Sequence, residues 1–472
     1  MTGLTPEPPV FRIEDAATRS ALDAICSSAR AAGGSARLVG GCVRDALLGL
    51  AATDLDIEVY GIEADALVEL LSAQFGLDLV GESFGVIRLR NLPIDVSLPR
   101  RESKRGRGHR GFEIDSDPHM DPREAASRRD FTINAVALDP ESRRIFDPFD
   151  GVADLKNRVL RHTTDKFAED PLRVLRGMQF TARFELQPAP ETIELCRGIE
   201  PEGLAPERIF GEWKKLILAG ARPSLGLAFL RDCGWVRHFP ELEALIGCEQ
   251  NPRWHPEGDV WTHTLHCMDV FADERVGIER EDLIVGFAVL CHDLGKPATT
   301  VREEGGRVTA KNHESIGVDF ARRFLGRMTL DEKLIGEIVP LIACHLAPLR
   351  LFGTEVTDAA IRRLARRVGR IDRLVRVSRA DQCGRPPMQV DRFESGDWLL
   401  ERARELSVLD RPPRPLLMGR HLIELGLEPG PDFGRVLEEC FKRQIEGEFD
   451  TLEAGLECAR TVIAAVLKTP TQ

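Results

Sequence analysis

Two aspartates one residue apart, Asp54 and Asp56, are the first side chains in this sequence whose types and spacing can do chemistry. In a strand, residues i and i+2 share a face. Both carboxylates can therefore meet one cation, and hard oxygen donors of this kind suit Mg²⁺. A short apolar strand, Arg37-Leu38-Val39, precedes them and runs into Gly40 and Gly41. The glycines let the backbone approach a ligand, and the N–H groups of the helix that follows point at it. Arg44, in the first turn of that helix, reaches the same anion. Together these residues describe a site for a metal-bound nucleoside triphosphate. A solvated Asp-x-Asp pair is the bland alternative, and the ordered set GGCVRD then DLD argues against it. Further on, Asp95 projects from the face opposite Ile94 and Val96. It is a candidate third carboxylate able to activate an attacking hydroxyl, or else a solvent-facing strand residue.

The stretch LVGGCVRDALLGLAATDLDIEV resembles the signature of the nucleotidyltransferase superfamily that includes DNA polymerase β. In detail it is similar to the class II tRNA nucleotidyltransferases (CCA-adding enzymes) and the related bacterial poly(A) polymerases. SRRDFTINA, residues 127–135, matches the second motif of that family. Arg128 and Arg129 can bind triphosphate and Asp130 can accept from a ribose hydroxyl; a salt-bridged turn before a strand is the alternative. DPFDGVADLKNRVL, residues 147–160, resembles the third motif and reads as structural. The basic, glycine-rich stretch Pro99 to Gly111 reads as a mobile loop, and the resemblance implies a part for it in adding the final A.

EDPLRVLR, residues 169–176, bears on specificity. Asp170, Arg173 and Arg176 recur every three residues and so share a helix face. Pro171 suits the first helical position and Asp170 the N-cap. Asp170 as a mere cap and Arg173 as a mere partner of Glu169 is the structural alternative. The functional reading rests on base chemistry. Cytosine and adenine both place an amino donor beside a ring-nitrogen acceptor on the Watson–Crick edge. Asp170 can accept from the amino group while Arg173 donates to the nitrogen. Uracil and guanine reverse that order, and mismatched buried polar groups cost on the order of a few kcal/mol. The resemblance assigns this role to the Glu-Asp-x-x-Arg motif. It also implies that Gly40, Gly41, Arg44, Arg128, Arg129 and Arg176 hold triphosphate, while Asp54 and Asp56 hold Mg²⁺ with Asp95 as a further catalytic candidate.

A second chemistry begins near His255. His263, His292-Asp293, His313, His345 and Asp381 lie in separate segments of helical pattern. Imidazole and carboxylate ligands brought from different helices suit a divalent metal with open positions. HDLGK resembles the HD phosphohydrolase superfamily, and by that resemblance His263, His292, Asp293 and Asp381 are the ligands of a transition metal or Mg²⁺. His313 and His345 then hold a second metal or substrate phosphate, and Lys296 touches phosphate. A nucleotidyltransferase part followed by an HD part resembles the bacterial multifunctional CCA proteins, in which the latter removes phosphates, including 2′,3′-cyclic ones. Between Arg362 and Arg379, arginines at three-to-four spacing read either as a solvated basic helix face or as a track for phosphates.

The elements that must position these groups follow from pattern. Helices are expected at Asp15–Ala32 and Asp65–Phe75, strands at Val86–Leu89 and Leu92–Leu98, and helices through most of the chain beyond residue 160. Phe180, Phe184, Phe210 and Trp213 stand at core-like spacing. The expected class is α+β. A polymerase-β-like head with a small mixed sheet spans residues 1–160, with a leader over 1–15, of which Met1–Pro9 reads as disordered. By the family resemblance, an all-α neck over 161–250 is expected to select the base and bind RNA. An HD domain is expected over 251–385, then a helical tail over 386–472, which by its resemblance to the tail of class II enzymes is expected to contact the tRNA body, with frayed last residues.

A chain of 472 residues has room for two to four domains. The net charge of −12 argues against an overall nucleic-acid-coating surface but leaves local basic patches open. The 11 cysteines include no Cys-x-x-Cys pair, so they read as reduced, mostly buried thiols of a cytoplasmic protein. No stretch is expected to span a membrane. The partners expected are tRNA, ATP and CTP. The narrower outputs that share this chemistry are poly(A), CC-only or A-only addition. The rival from another class is an HD phosphohydrolase whose N-terminal half only binds RNA. The full loop at Pro99–Gly111 argues against CC-only addition, and the overall acidic chain ending in ECARTVIAAVLKTPTQ, without a basic tail, favours the tRNA reading over poly(A) addition.

Overall fold

The computed structural model describes residues 13–51, 54–80, 85–104, 112–387 and 392–466. The Met1–Pro9 leader, residues 105–111 of the basic stretch and the frayed last residues lie outside them. The chain divides into two compact units, Met1–His238 and Phe239–Gln472, and the class is α+β: a sheet with helices, then helices almost throughout.

In the first unit, the strands in chain order are β1 Ser35–Val39, β2 Leu55–Tyr60, β3 Leu77–Val80, β4 Val86–Leu89, β5 Ile94–Ser97, β6 Arg100–Lys104, β7 Phe112–Ser116, β8 Ala137–Leu138 and β9 Ile145–Phe146. Seven form one mixed sheet in the order β3-β4-β5-β2-β1-β8-β9, with β2 and β5 parallel and the other pairs antiparallel. One face is apolar. Leu55, Ile57 and Val59 of β2, Leu38 of β1 and Ile94 and Val96 of β5 are buried, with Leu22 and Ile25 of the helix Ala16–Ala31 and Leu67 and Leu71 of the helix Ala64–Ser72. Asp15 starts the first helix, its carboxylate accepting the Thr18 N–H at 2.7 Å. Strand alternation then forces Asp56 and Glu58 onto the opposite face. Asp54 lies one residue ahead of β2 rather than within it.

Part of the basic stretch is a strand rather than a loop. Its residues Arg100–Lys104 form β6 and pair antiparallel with β7, because strand pairing satisfies backbone groups that the side-chain pattern does not reveal. Behind the sheet, the helix Leu172–Phe184 packs on Pro206–Ala219 and Pro223–Asp232. Each of the latter two begins with a proline at a first-turn position, where the missing N–H is harmless. Phe180 and Trp213 are buried as expected, whereas Phe184 and Phe210 are half-buried.

In the second unit, Glu279–Cys291 is the central helix. Its stretch Asp282–Cys291 is buried throughout, and it packs against the helices Val260–Asp273, Glu332–Cys344 and Ile371–Cys383. A separate small core of Leu417, Leu422, Val436, Cys440, Phe449, Ala459 and Val462 holds the last three helices, Gly419–Glu424, Pro431–Glu446 and Leu452–Val466. Contrary to expectation, one run, Glu332–Leu351, is long and apolar enough to cross a membrane by length and composition alone. Half of it is buried within the unit, and it is two helices, Glu332–Cys344 and Ala347–Leu351, which is how a core helix passes the same test. All 11 cysteines are free and most are buried.

Candidate active sites

The polar face of the head sheet opens into a cavity of about 740 Å³. Gly40, Gly41, Arg44, Asp54, Asp56, Arg128, Arg129, Asp130, Asp170, Arg173 and Arg176 all line it, so the sequence-derived residues converge with one exception. Asp95 pairs with Asp56 across β5 and β2, but its carboxylate is held by both ends of the Arg88 fork at 3.0 and 3.1 Å and does not line the cavity. Counting the whole lining, nine cationic side chains face five carboxylates, the balance an oligoanion requires.

The carboxylates of Asp54 and Asp56 have no hydrogen-bond or ion-pair partner among the described residues. Asp56 is reached by solvent at the cavity floor, yet surrounding protein displaces much of its water. That burial, opposed by Arg129 and reinforced by Asp95 and Asp54, raises its carboxyl above the ordinary value. Two uncompensated carboxylates that repel each other fit a divalent cation. Gly40 sits at φ 74° beside them, and a Cβ there would stand 3.1 Å from Arg129 Nη1 and 3.3 Å from Asp56 Oδ2. Only glycine meets both the backbone and the space requirement.

Glu58, two residues beyond Asp56, is buried and bonds Arg128 at 3.2 Å and Tyr60 at 2.6 Å, with Arg129 at 3.7 Å. Burial would raise its carboxyl, but these arginines and the tyrosine hold it low. Arg44 is buried: its Nε and Nη2 meet Asp45 at 2.9 and 2.7 Å, Nη1 meets Asn134 at 2.8 Å, and its guanidinium lies over Phe180 and Phe184. It therefore pins the Gly41–Leu47 helix to the second motif. The third motif supports the same turn: the Thr132 hydroxyl donates to Asp154 at 2.7 Å, and a Cβ on Gly151 would fall 2.1 Å from the Thr132 carbonyl oxygen.

Both oxygens of Asp130 are engaged, accepting from Phe131 N–H at 2.8 Å, Asn134 at 2.9 Å and Arg176 at 2.6 Å. Burial alone would raise this carboxyl, yet Arg176 and these bonds hold it below 3.8. Such a group stabilises the fold above its unfolded pKa, and that contribution is lost as pH falls through the folded one. Asp130→Asn is accordingly expected to lower the Tm at pH 7, with the gap from wild type closing below about pH 4, read from melts across pH.

The helix of the EDPLRVLR segment begins at Leu172, one residue later than expected, but Asp170 Oδ1 still accepts the Leu172 N–H at 3.0 Å. Its Oδ2 accepts from Arg208 at 2.9 Å. Arg173 does not serve as a partner for Glu169. Its fork donates to the Lys166 and Arg128 carbonyl oxygens at 2.8 and 2.7 Å, which fixes the guanidinium plane and leaves other N–H groups of a five-donor side chain outside those two bonds.

In the second unit the HD residues converge from five helix segments. Asp293 is the hub, with Lys296 at 2.7 Å, His292 at 3.2 Å, His313 at 3.3 Å and His263 at 3.8 Å. Asp381 meets His263 at 3.1 Å and pairs with Arg385. The imidazoles share one orientation. Nδ1 of His292, His313 and His345 faces the carbonyl oxygen of Val289, Ala310 and Ile342 at 2.7, 2.8 and 2.8 Å, and Nδ1 of His263 meets Glu257 at 2.8 Å. These outer contacts assign the Nδ1 proton and turn the Nε2 lone pairs inward. Burial and the neighbouring imidazoles push His345 down to about 3, so it is neutral and able to ligate. His292 Nε2 and both Asp293 oxygens are buried without a hydrogen bond of normal geometry. A buried carboxylate ringed by inward-facing imidazole nitrogens fits metal ligation. Asp293, Lys296, His313, His345 and Asp381 line a cavity of about 430 Å³.

Residues 36–161 match the Poly A polymerase head domain and residues 260–381 the HD domain. The multifunctional CCA protein of Xanthomonas campestris pv. campestris is 39% identical over 416 residues, 85% of this chain and 95% of its own. The chain belongs to the multifunctional CCA protein family. Another such protein, from Stenotrophomonas maltophilia, is 37% identical over 380 residues, covering 77% of this chain and 89% of its own. The fold is also that of the Bacillus stearothermophilus CCA-adding enzyme solved with CTP, at a TM-score of 0.65 and 20% identity over 96% of this chain and all of that one.

In this multifunctional CCA protein family member, sequence reasoning missed several lining residues. Gln179, Phe180 and Arg183 line the head cavity; they continue the helix face of Arg173 and Arg176 at three-to-four spacing, a signal that was available. Arg208, Lys215, His255 and Arg385 also line the two cavities, and with Glu257 they carry no local signal, because tertiary folding alone brings them in. The arginine run, read either as a solvated face or as a phosphate track, has partners of its own. Gly369, at φ 75°, breaks it into two helices, Asp358–Val368 and Ile371–Cys383. Arg366, Arg370, Arg373, Arg376 and Arg379 pair with Glu438, Glu281, Glu337, Asp282 and Glu274, which leaves no continuous track for phosphates.

The glycine of HDLGK has a spatial reason. A Cβ on Gly295 would lie 2.0 Å from the His313 carbonyl oxygen and 2.6 Å from Gly317 N. Gly295→Ala is expected to push the His313–Gly326 helix away, lowering stability by about 1–3 kcal/mol and weakening metal retention on the order of ten-fold. Melting curves and metal content after dialysis check both.

Proposed function

We propose that the protein is a template-independent tRNA nucleotidyltransferase that adds CCA to tRNA 3′ ends from CTP and ATP with Mg²⁺. Its HD part is then a phosphohydrolase using a divalent transition metal or Mg²⁺. The reading is carried by one observation: the unpartnered Asp54 and Asp56 share a cation-rich cavity with Asp170 and Arg173. In this scheme the head spans residues 1–160, the base-selecting neck 161–250, the HD domain 251–385 and the tRNA-contacting tail 386–472. A cytoplasmic location suits a tRNA substrate and free thiols.

Mg²⁺ bound by Asp54 and Asp56 would supply Lewis acidity at the α-phosphate and the attacking 3′-hydroxyl. The remaining work falls to the protein. Arg128 and Arg129, aimed by Glu58, hold triphosphate, with Arg176 beside them and Gly40 and Gly41 allowing close approach. Arg44 and Asp130 act mainly by fixing this set, since their bonds are made within the protein. Asp170 and Arg173 present an acceptor beside a donor on a rigid helix start. That order matches cytosine and adenine, and catalysis is positioning and charge neutralisation. The fixed Arg173 fork supports template-free choice, because a mobile guanidinium would adapt to uracil.

Incorporation into a tRNA transcript lacking CCA, with CTP and ATP, tests the reading. Three nucleotides and then arrest is the expected result. An A-ladder, arrest after CC, or addition only to a CC end each replaces CCA addition with a narrower activity. No addition at all moves the function to the HD part. Asp170→Asn keeps an oxygen for the Leu172 N–H but offers a donor to the base. It is expected to cut discrimination of CTP over UTP by about 10–100-fold, the 1–3 kcal/mol of an unpaired buried group, read from single-nucleotide kcat/KM values.

A further inference from the structure

The lining of the HD cavity is of two chemical kinds. Carboxylates and imidazoles make one part of it, whereas Trp254, Leu346 and Leu349 bring apolar surface. Trp254 is 52% exposed and Leu349 38%. One exposed apolar side chain is ordinary; an indole and two leucines in the wall of a polar cavity make a surface that a ligand can cover. The indole is also held in place. The Asn251 carbonyl oxygen accepts the Trp254 and His255 N–H groups at 3.0 and 2.9 Å, and Asn251 Oδ1 accepts the Arg253 N–H at 3.0 Å. His255, the next residue, packs edge-on against His263 with ring centroids 4.8 Å apart and meets Glu257 at 2.9 Å. The turn carrying Trp254 is therefore braced against the metal-binding set. The Arg253 guanidinium covers one face of the indole, 5.2 Å from the ring centroid.

Two polar features say what else such a ligand carries. Lys296 and Arg385 are tied to Asp293 and Asp381, but Arg307, also on the lining, forms no ion pair among the described residues. A cation without a counter-ion in this cavity suits an anion. Gln382, also on the lining, has its Nε2 buried without a hydrogen-bond partner, a donor that suits an acceptor on the ligand. A flat apolar face, an anionic group and a hydrogen-bonding edge together describe a nucleotide. A sugar phosphate has no flat face, and a phenyl phosphate has no acceptor on its ring edge.

We propose that Trp254 is a specificity-determining residue of the HD centre: the base of a nucleoside phosphate stacks on the indole face opposite Arg253, and Gln382 donates to the base edge. This rests on the HD part being a phosphohydrolase. Stacking tolerates every base, because each has a π-face. The centre therefore prefers nucleotides to base-free esters while accepting purines and pyrimidines alike. The head works the other way, since a fixed acceptor beside a fixed donor at Asp170 and Arg173 excludes uracil and guanine.

The test uses the full chain, loaded in turn with Mg²⁺, Mn²⁺ and Co²⁺, and follows hydrolysis with the most active of them. The substrates are the 2′,3′-cyclic phosphates of adenosine, of uridine and of methyl β-riboside, which has the same reacting group and no base. Wild type should use both nucleosides with a kcat/KM about ten-fold or more above that of the riboside, the difference lying in KM. Trp254→Ala should lose that preference through KM with kcat kept, and its kcat/KM for the riboside should stay within about two-fold of wild type. Trp254→Phe, which keeps a flat ring, should retain most of the preference. Equal use of nucleosides and riboside by wild type overturns the Trp254 assignment while leaving the phosphohydrolase standing. A preference that survives in Trp254→Ala does the same, as does an equal loss on all three substrates, which would make the indole structural. No hydrolysis of any of the three, in a protein that still adds nucleotides, defeats the phosphohydrolase reading and this proposal with it.

Discussion

Asp56→Asn is expected to reduce nucleotide addition by about 10³-fold or more, with hydrolysis at the HD centre unchanged within about two-fold. Its carboxylate and that of Asp54 line the cavity without a hydrogen-bond or ion-pair partner among the described residues, and a neutral amide cannot replace an anionic metal ligand. Losing several kcal/mol of charge stabilisation in the transition state corresponds to that factor. The loss should fall on kcat, since in the proposed scheme Arg128, Arg129 and Arg173 would still hold nucleotide. A second readout separates the metal role from a fold defect. The Asp56 carboxyl is raised by burial and by the carboxylates around it, so the folded protein takes up a proton more readily than the unfolded one. By linkage its ionised form opposes folding, and that cost is fully present above the folded pKa. Without metal, Asp56→Asn should therefore melt higher than wild type near neutral pH. Added Mg²⁺ should raise the Tm of wild type and not of the variant. Addition that survives the change would remove Asp56 from the metal site.

Asp293→Ala should have the reverse effect: hydrolysis of a phosphate ester or cyclic phosphate lost by about 10³-fold, metal content lost, and CCA addition retained. Asp293 touches His263, His292, His313 and Lys296, and no other carboxylate among the described residues meets all four. Without it, Lys296, His292 and His313 lose their shared carboxylate while His263 keeps Asp381 and Glu257, and removing one partner of a buried pair costs several kcal/mol. The central helix is buried along most of its length by apolar contacts, so the helical scaffold should persist, as far-ultraviolet circular dichroism would show. Metal content measured with turnover decides the matter. Hydrolysis that survives with the metal gone would place the activity elsewhere in the chain.

Much of this was legible in the sequence, and for a physical reason. Asp54 and Asp56 with Gly40 and Gly41, Arg128-Arg129-Asp130 and Asp170 with Arg173 are local patterns. A strand's period of two or a helix's of 3.6 fixes which side chains share a face before any tertiary contact forms. The same holds for the strands around Asp95 and for the split into a sheet-bearing head and helical remainder. What each charged group does once it arrives was not legible, because that depends on partners far away in the chain. Asp95 passed every local test, yet Arg88 on β4 takes its carboxylate. Arg44 and Asp130 occupy the right motifs but use their bonds to brace each other through Asn134.

The sequence by itself determined the chemistry: which carboxylates, arginines and imidazoles are present, on which face of which element, and the family to which they belong. Only the tertiary structure decided their roles. It set Arg173 on two carbonyl oxygens, turned four imidazoles inward through their outer contacts, brought Glu257 behind His263, and neutralised most of an arginine run that looked like a phosphate track. Backbone periodicity is a property of neighbours in sequence. Desolvation and charge pairing are properties of neighbours in space, and folding alone brings those together.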